Sequence, residues 1–284
     1  MTGVPVRPGA GLTRRAVGTG LLGGIVALVT TGCTDSSVES STESSVETGY
    51  RVLVYSRTTG YRHDSIPAGV ATVGELGAEH GFTVDATEDP AVFTPDNLSR
   101  YAAVVFLNTT GDVLDAAGRA AFEGYINGGG GFVGVHAAAD TEHNWPFYGE
   151  LVGAYFAQHP PVQPATVEVV DRTHPATAHL PTRWKRTDEW YDYRTRPTDA
   201  RILAVLDETS YTGGQMGQPH PHAWCRTYAG GRAFYTGGGH TIEAYAEPAF
   251  RTHLLGAVRW AAGRSADDAD GGRSADDADR DATG

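Results

Sequence analysis

The chain has 284 residues, 40% of them hydrophobic and 20% charged, which supplies apolar material for one large domain core. Its formal net charge of -12 excludes non-specific binding to nucleic acid or to anionic lipid, since both select basic surfaces. Two cysteines cannot build a disulfide framework, and no succession of long apolar segments marks a multi-pass membrane protein.

Residues 1–33 read as an export signal, to be set apart from the fold. Thr13-Arg14-Arg15 places paired cations ahead of the apolar run Ala16 to Thr31, as in twin-arginine signals. That run is shorter than the roughly 20 residues of a permanent membrane helix. It ends in Thr31-Gly32-Cys33, which resembles a lipobox, so Cys33 is the expected lipidation site. The alternative is ordinary secretory cleavage nearby, which would release the protein. Residues 34–49 are rich in Ser, Thr and Glu and predict a solvated tether. Residues 264–284 complete a direct duplication, GRSADDAD at 263–270 and again at 272–279, and predict a disordered acidic tail. The expectation is an exported lipoprotein on the outer face of the cell membrane, its body spanning residues 50–263.

Within the body, Arg51 to Ser56 is a short β-rich run and predicts a buried first strand. Ser65 to His80 carries Ile66, Val70, Val73 and Leu76 at helical spacing, with Asp64 and Ser65 as cap candidates. Phe82 to Ala86 and the apolar run Tyr101 to Asn108 predict two further strands, the latter covered on both faces. Asp115 to Ile126 is a helix, and Phe132 to Val135 is a strand leading into His136-Ala-Ala-Ala-Asp140. Strands follow at Val167–Val170, Ile202–Leu206, Ala223–Tyr228 and Arg232–Thr236, the last two joined by a hairpin turn at Ala229-Gly230-Gly231, and Pro248–Ala261 is a closing helix. Alternating strand and helix implies right-handed βαβ units in a mostly parallel sheet with helices on both faces, a single α/β domain. Ligands of such sheets bind beyond the C-terminal strand ends.

Of the eleven histidines, three follow a strand end: His63, His136 and His240. His136 stands where a nucleophile elbow carries Ser or Cys, so acyl transfer has no nucleophile at that place. Cys225, in a β-rich run, reads as a small buried hydrophobe. Thr187 to Tyr193 combines Asp188, Glu189, Trp190 and Tyr191, a mixture of carboxylates and flat apolar faces that suits sugars. Its structural reading is a half-exposed strand with Trp190 in the core. His220 and His222 stand two apart, and with His240 or Asp140 they are candidate ligands of zinc or another divalent ion.

Taken in order, Gly60-Tyr-Arg-His63, Gly134-Val-His136 with Asp140, Thr173-His-Pro175, Asp188-Glu-Trp-Tyr191, His220-Pro221 with Trp224, and Gly238-Gly-His240 resemble the ThuA-like (trehalose utilisation) family across the whole body. The resemblance implies a flavodoxin-like, class I glutamine amidotransferase-like fold without the amidotransferase cysteine. It implies a role in disaccharide and glycoside catabolism, beside dehydrogenases that make 3-keto sugars. Carried over by motif, the site residues are His63, His136, Asp140, Glu189, His220 and His240. Asp188, Trp190, Tyr191, His220 and Trp224 are expected substrate contacts. Pro219 and His222 depart from the family pattern around His220.

The leading expectation is an enzyme that hydrolyses, eliminates or isomerises a disaccharide or 3-keto glycoside by acid–base chemistry, with His63, His136, Asp140, Glu189 and His240 as the catalytic set. The rival is a non-catalytic sugar-binding lipoprotein serving a partner dehydrogenase or transporter. The expected partner is a small carbohydrate, with the membrane reached through the lipid anchor alone. Self-association into a homo-oligomer stays open.

Overall fold

A computed structural model describes residues 49–264; the signal, tether and tail expectations, Cys33 included, fall outside the described residues. In chain order the elements are β1 (Arg51–Tyr55), α1 (Ile66–His80), β2 (Thr83–Thr87), α2 (Pro95–Leu98), β3 (Ala103–Leu107), α3 (Ala116–Asn127), β4 (Gly131–Val135), α4 (Pro146–Val152), β5 (Phe156–Gln158), β6 (Gln163–Val169), β7 (Arg183–Asp188), β8 (Asp192–Tyr193), β9 (Arg201–Leu206), β10 (His220–Tyr228), β11 (Gly231–Thr236), α5 (Ile242–Ala246) and α6 (Pro248–Ala261). Among the described residues no helix is long and apolar enough to cross a membrane.

Nine strands form one sheet in the order β2-β1-β3-β4-β11-β10-β9-β6-β7. The first five run parallel, in the 2-1-3-4-5 order of flavodoxin-like sheets. Beyond β11 the sheet continues antiparallel through β10, β9, β6 and β7. The α/β domain with helices on both faces, expected from the alternation of elements, is what forms.

Period-two alternation assigns the faces. Val52 and Val54, Val105 and Leu107, and Val133 and Val135 pack with residues of α1, α5 and α6. Leu53 and Tyr55, Val104 and Phe106, and Phe132 pack on the opposite side with residues of α2, α3 and α4. Val104 and Phe106 are fully buried, and burial of such a side chain stabilises the fold by about 1.5–3 kcal/mol. Ala229 and Gly230 both take positive φ between β10 and β11, as a two-residue type I′ hairpin requires.

Local chemistry departs from expectation at two places. Asp115 caps α3 by accepting from the Gly118 N–H at 2.7 Å, but Ser65 at the start of α1 makes no cap bond. Its hydroxyl instead donates to the Gly239 carbonyl at 3.2 Å, so it serves the loop after β11. The strand β7, Arg-Trp-Lys-Arg-Thr-Asp, turns Trp184, Arg186 and Asp188 inward, so its buried face carries charge and does not look apolar in the sequence.

The parallel strands all end at one edge of the sheet, where the loops of β1, β3, β4 and β11 meet. At the other edge Gly49 enters β1, and the Arg264 guanidinium lies 5.4 Å from the centre of the Tyr50 ring.

Candidate functional site

At the C-terminal edge the sheet brings together four side chains. His63 lies in the loop after β1, His136 directly follows β4, Glu189 directly follows β7, and His240 lies past β11. Each offers a nitrogen or carboxylate oxygen, and these atoms all lie within 4.8 Å of one another.

His136 sits at the tight turn that ends β4, with φ of +48°. A non-glycine residue holds that conformation only where its surroundings fix it. Here the Tyr235 hydroxyl donates to the His136 carbonyl at 2.8 Å, and the ring lies against Tyr191 with centroids 4.1 Å apart. His136 Nδ1 stands 2.8 Å from the Gly237 carbonyl. A carbonyl only accepts, so Nδ1 carries the proton and donates. Nε2 then faces Glu189 Oε2 at 3.4 Å and His240 Nδ1 at 3.3 Å.

Glu189 and His240 are placed by a single carboxylate. Asp188 Oδ1 accepts from the backbone N–H of Glu189 (3.0 Å), His240 (3.1 Å) and Thr241 (3.3 Å). Its Oδ2 accepts from the Gly239 N–H at 2.8 Å and pairs with Arg186 Nη2 at 3.1 Å. The loop that carries His240 approaches these groups closely. A Cβ on Gly238 would lie 2.4 Å from Arg186 Nη1, and Gly239 takes φ of +111° with Tyr245 Oη 2.8 Å from where its Cβ would be. Asn108 Nδ2 ties the end of β3 to the same loop by donating to the Gly239 carbonyl at 3.1 Å.

Glu189 Oε2 lies 3.2 Å from His240 Nδ1, and Oε1 lies 2.9 Å from His159 Nδ1. His159 Nδ1 also faces the Pro160 carbonyl at 3.0 Å, so that nitrogen is a donor and fixes the outer oxygen of Glu189. His63 stands edge-on to both neighbours, its ring centre 5.0 Å from those of His136 and His240. Its Nδ1 is buried without a hydrogen-bond partner. Tyr61, 65% exposed, stands edge-on to His63 with ring centres 4.8 Å apart.

Electrostatics separate the members. Burial, reinforced by the neighbouring imidazoles of His136 and His240, pushes His63 down to about 3. Burial also pushes the Glu189 carboxyl up, but the neighbouring imidazoles of His136 and His240 outweigh it and hold the group at about 2. For His240 burial lowers the pKa, yet Glu189, with Asp188 and Asp64, outweighs it and raises the group above its ordinary value.

The other expected site residues lie elsewhere. Asp140 is outside the cluster and pairs with His143 Nε2 at 2.8 Å. Asp188 is fully buried and engaged by backbone amides, so it positions loops and is not placed to hold a sugar. Trp190 and Trp224 are core residues; their indole N–H groups donate to the Gln163 and Val152 carbonyls at 2.8 and 2.9 Å. Trp190 is thus in the core, while residues 188–193 are buried throughout and do not form the expected half-exposed strand. Tyr191 is buried and reaches the site only as the ring behind His136. His220, His222, His240 and Asp140 do not assemble into a metal site, because His220 turns into a second cluster with Asp192 and Glu208. There His220 Nε2 donates to the Tyr191 carbonyl at 2.8 Å and Nδ1 meets Glu208 Oε1 at 2.7 Å. His222 is buried against Trp190.

His159 and the exposed Tyr61 were not singled out from the sequence. The signals were present: His159 precedes Pro160-Pro161, and Tyr61 is an aromatic in a polar strand-end loop. A cleft of about 630 Å³ lined by Ser99, Tyr101, Tyr125 and Gly128–Gly130 lies at the opposite edge of the sheet. It holds no histidine or carboxylate, so the chemistry stays with the cluster.

No curated protein sequence matches the chain significantly. Among solved structures, a ThuA-like protein from Bacteroides uniformis is 27% identical, with a TM-score of 0.65 over 75% of this chain and 91% of its own. A ThuA-like protein from Parabacteroides merdae shares the fold at 22% identity, with a TM-score of 0.64 over 77% of this chain and 92% of its own. A cytoplasmic protein from Salmonella typhimurium shares it at 11% identity, with a TM-score of 0.54 over 74% and 98%. The family model described as trehalose utilisation matches residues 51–261, which is nearly the whole described body, and the chain belongs to that family, ThuA.

Proposed function

We propose that this ThuA protein is an exported, lipid-anchored enzyme that acts on disaccharides or their 3-keto derivatives by acid–base chemistry at the His63–His136–Glu189–His240 cluster. The observation that carries this reading is the convergence of three imidazoles and one carboxylate from both halves of the sheet on the edge where α/β sheets bind ligands. Such a set can accept a proton at one atom and supply one at another, the requirement of general acid–base catalysis.

Chemistry favours the keto sugar over direct cleavage of an unmodified glycoside. Direct cleavage calls for two carboxylates flanking the bond. Here only Glu189 belongs to the cluster; Asp188 is engaged by backbone and Asp140 pairs with His143. In a 3-keto glycoside the carbonyl acidifies the adjacent C–H. A base in the cluster removes that proton, and the electron pair passes to the carbonyl oxygen. As the pair returns, the anomeric C–O bond breaks and the departing oxygen takes up a proton. No Ser or Cys nucleophile is needed, which agrees with histidine at the turn after β4. Tyr61 supplies an exposed aromatic face beside His63 for the C–H surface of a sugar ring.

The test is to incubate the purified full chain with trehalose, other disaccharides and their 3-keto derivatives, following products by mass spectrometry. Conversion of a keto sugar, reduced about 10²–10⁴-fold in His136→Ala, supports the enzyme. Ligand-induced stabilisation with no conversion of any sugar transfers the role to a binding lipoprotein.

A further inference from the structure

The geometry points to a divalent-metal centre, of the zinc class, held by His136, Glu189 and His240 with His63 as the neighbouring fourth ligand. The inference deepens the proposed function, because it rests on the same cluster as the working site, but it does not depend on the sugar.

Three distances carry it. His136 Nε2 to Glu189 Oε2 is 3.4 Å, His240 Nδ1 to Glu189 Oε2 is 3.2 Å, and His240 Nδ1 to His136 Nε2 is 3.3 Å. A tetrahedral ion with bonds of 2.0–2.1 Å to nitrogen and oxygen separates its ligand atoms by about 3.3 Å. The three atoms thus form one triangular face of such a tetrahedron. The same distances are long for a carboxylate–imidazolium hydrogen bond, which closes to about 2.7–2.9 Å. The pairs that are purely hydrogen-bonded here do close that far: His159 Nδ1 to Glu189 Oε1 is 2.9 Å and His220 Nδ1 to Glu208 Oε1 is 2.7 Å.

Tautomer and surroundings agree. The Gly237 carbonyl takes the Nδ1 proton of His136, which leaves the Nε2 lone pair directed at the cluster, the usual outer-shell arrangement of a ligating histidine. His159 engages the oxygen of Glu189 that faces away from this triangle and so leaves Oε2 for the ion. His63 Nδ1 is buried and without a partner beside it. Imidazole nitrogens with one carboxylate suit zinc, iron, cobalt or nickel better than magnesium or calcium. Four protein ligands would close a tetrahedral shell, so expansion to five-coordination would be what admits a water or a sugar carbonyl oxygen, to which the ion would supply Lewis-acid polarisation.

Elemental analysis and zinc titration of the full chain, purified without a histidine tag and stripped with chelator, test the site. The expected result is stoichiometric zinc uptake with a rise in Tm, and strong visible absorption when cobalt replaces zinc. His136→Ala and Glu189→Gln should abolish both, and His159→Ala should weaken zinc about 10–100-fold. Glu208→Gln, in the other cluster, should bind as the parent does. His240→Gln alters a half-exposed residue and serves as a second probe should the buried variants fail to fold. Absence of uptake by the folded, stripped chain overturns the metal centre, as does uptake unchanged in folded Glu189→Gln and His240→Gln. Absence of uptake together with full turnover by the stripped chain overturns the centre while leaving the acid–base function standing. Zinc uptake without conversion of any sugar supports the centre and removes only the sugar reading.

Discussion

Two clusters of histidine and carboxylate stand close together in this molecule, and only one is left with unanswered polar atoms. Around His220 every group is answered. Glu208 accepts from the Met216 and Gly217 amides, Asp192 accepts from the Gln215 amide and the Gln158 side chain, and both His220 nitrogens have close partners. Around His136 the nitrogens and the carboxylate face one another at longer range, and His63 Nδ1 has no partner at all. The same residue types therefore fasten a loop in one place and form a reactive edge in the other. Hydrogen-bond saturation, rather than composition, separates the two roles.

The sharpest contrast comes from matched substitutions. Glu189→Gln should lower turnover of a keto sugar about 10²–10⁴-fold with the fold intact, whereas Glu208→Gln should leave turnover within a few-fold and lower the melting temperature. Equal losses of turnover would erase the distinction between the clusters. Next in size is Asp188→Ala, which takes from the buried Arg186 guanidinium one of its two carboxylates, leaving Glu247 on the Nε side, and frees the His240 loop. It should cost about 3–5 kcal/mol in denaturant unfolding, and a loss under about 1 kcal/mol would show that Asp188 is not the anchor its geometry describes.

A third kind of histidine sharpens the comparison through pH. Burial, with Arg201 nearby and against Asp171, pushes His174 down to about 4. Burial also pushes His253 down to about 3, with Arg186, His179 and His174 adding to it and the Ala176 carbonyl opposing. Both are neutral when folded and take up a proton on unfolding, so their contribution is complete above the ordinary histidine pKa and is lost as pH falls towards 4. Within that window each costs up to about 1.4 kcal/mol per pH unit. Melting temperature should therefore fall from about pH 6.5 downward, before the carboxylates titrate; a flat profile to about pH 5 would contradict it. The smallest effect is expected at Tyr61→Ala, which should raise KM for a sugar about 5-fold, worth about 1 kcal/mol of stacking, with kcat little changed.

The parallel half of the sheet was legible because its strands, buried on both faces, are apolar runs such as Ala103–Leu107. His63, His136 and His240 were legible for the same reason, since a visible strand end marks the residue after it. The antiparallel half hid its contribution. In β7 the inward positions are Trp184, Arg186 and Asp188, and their pairing with Glu247 and the Gly239 amide cannot be read from spacing. Trp190 and Trp224 looked like sugar platforms because an indole serves a core and a binding face equally well. Only the carbonyls of Gln163 and Val152, distant in sequence, decide that both are buried. His159 escaped notice because its partner Glu189 is thirty residues away.

Both ends of the described body leave from the sheet edge opposite the histidines, with Gly49 entering β1 and Arg264 lying over Tyr50. A fusion partner, a surface coupling or a bead attached directly at Gly49 or Arg264 would thus sit behind the described body, and a preparation immobilised at either residue should retain access to substrate at the reactive edge.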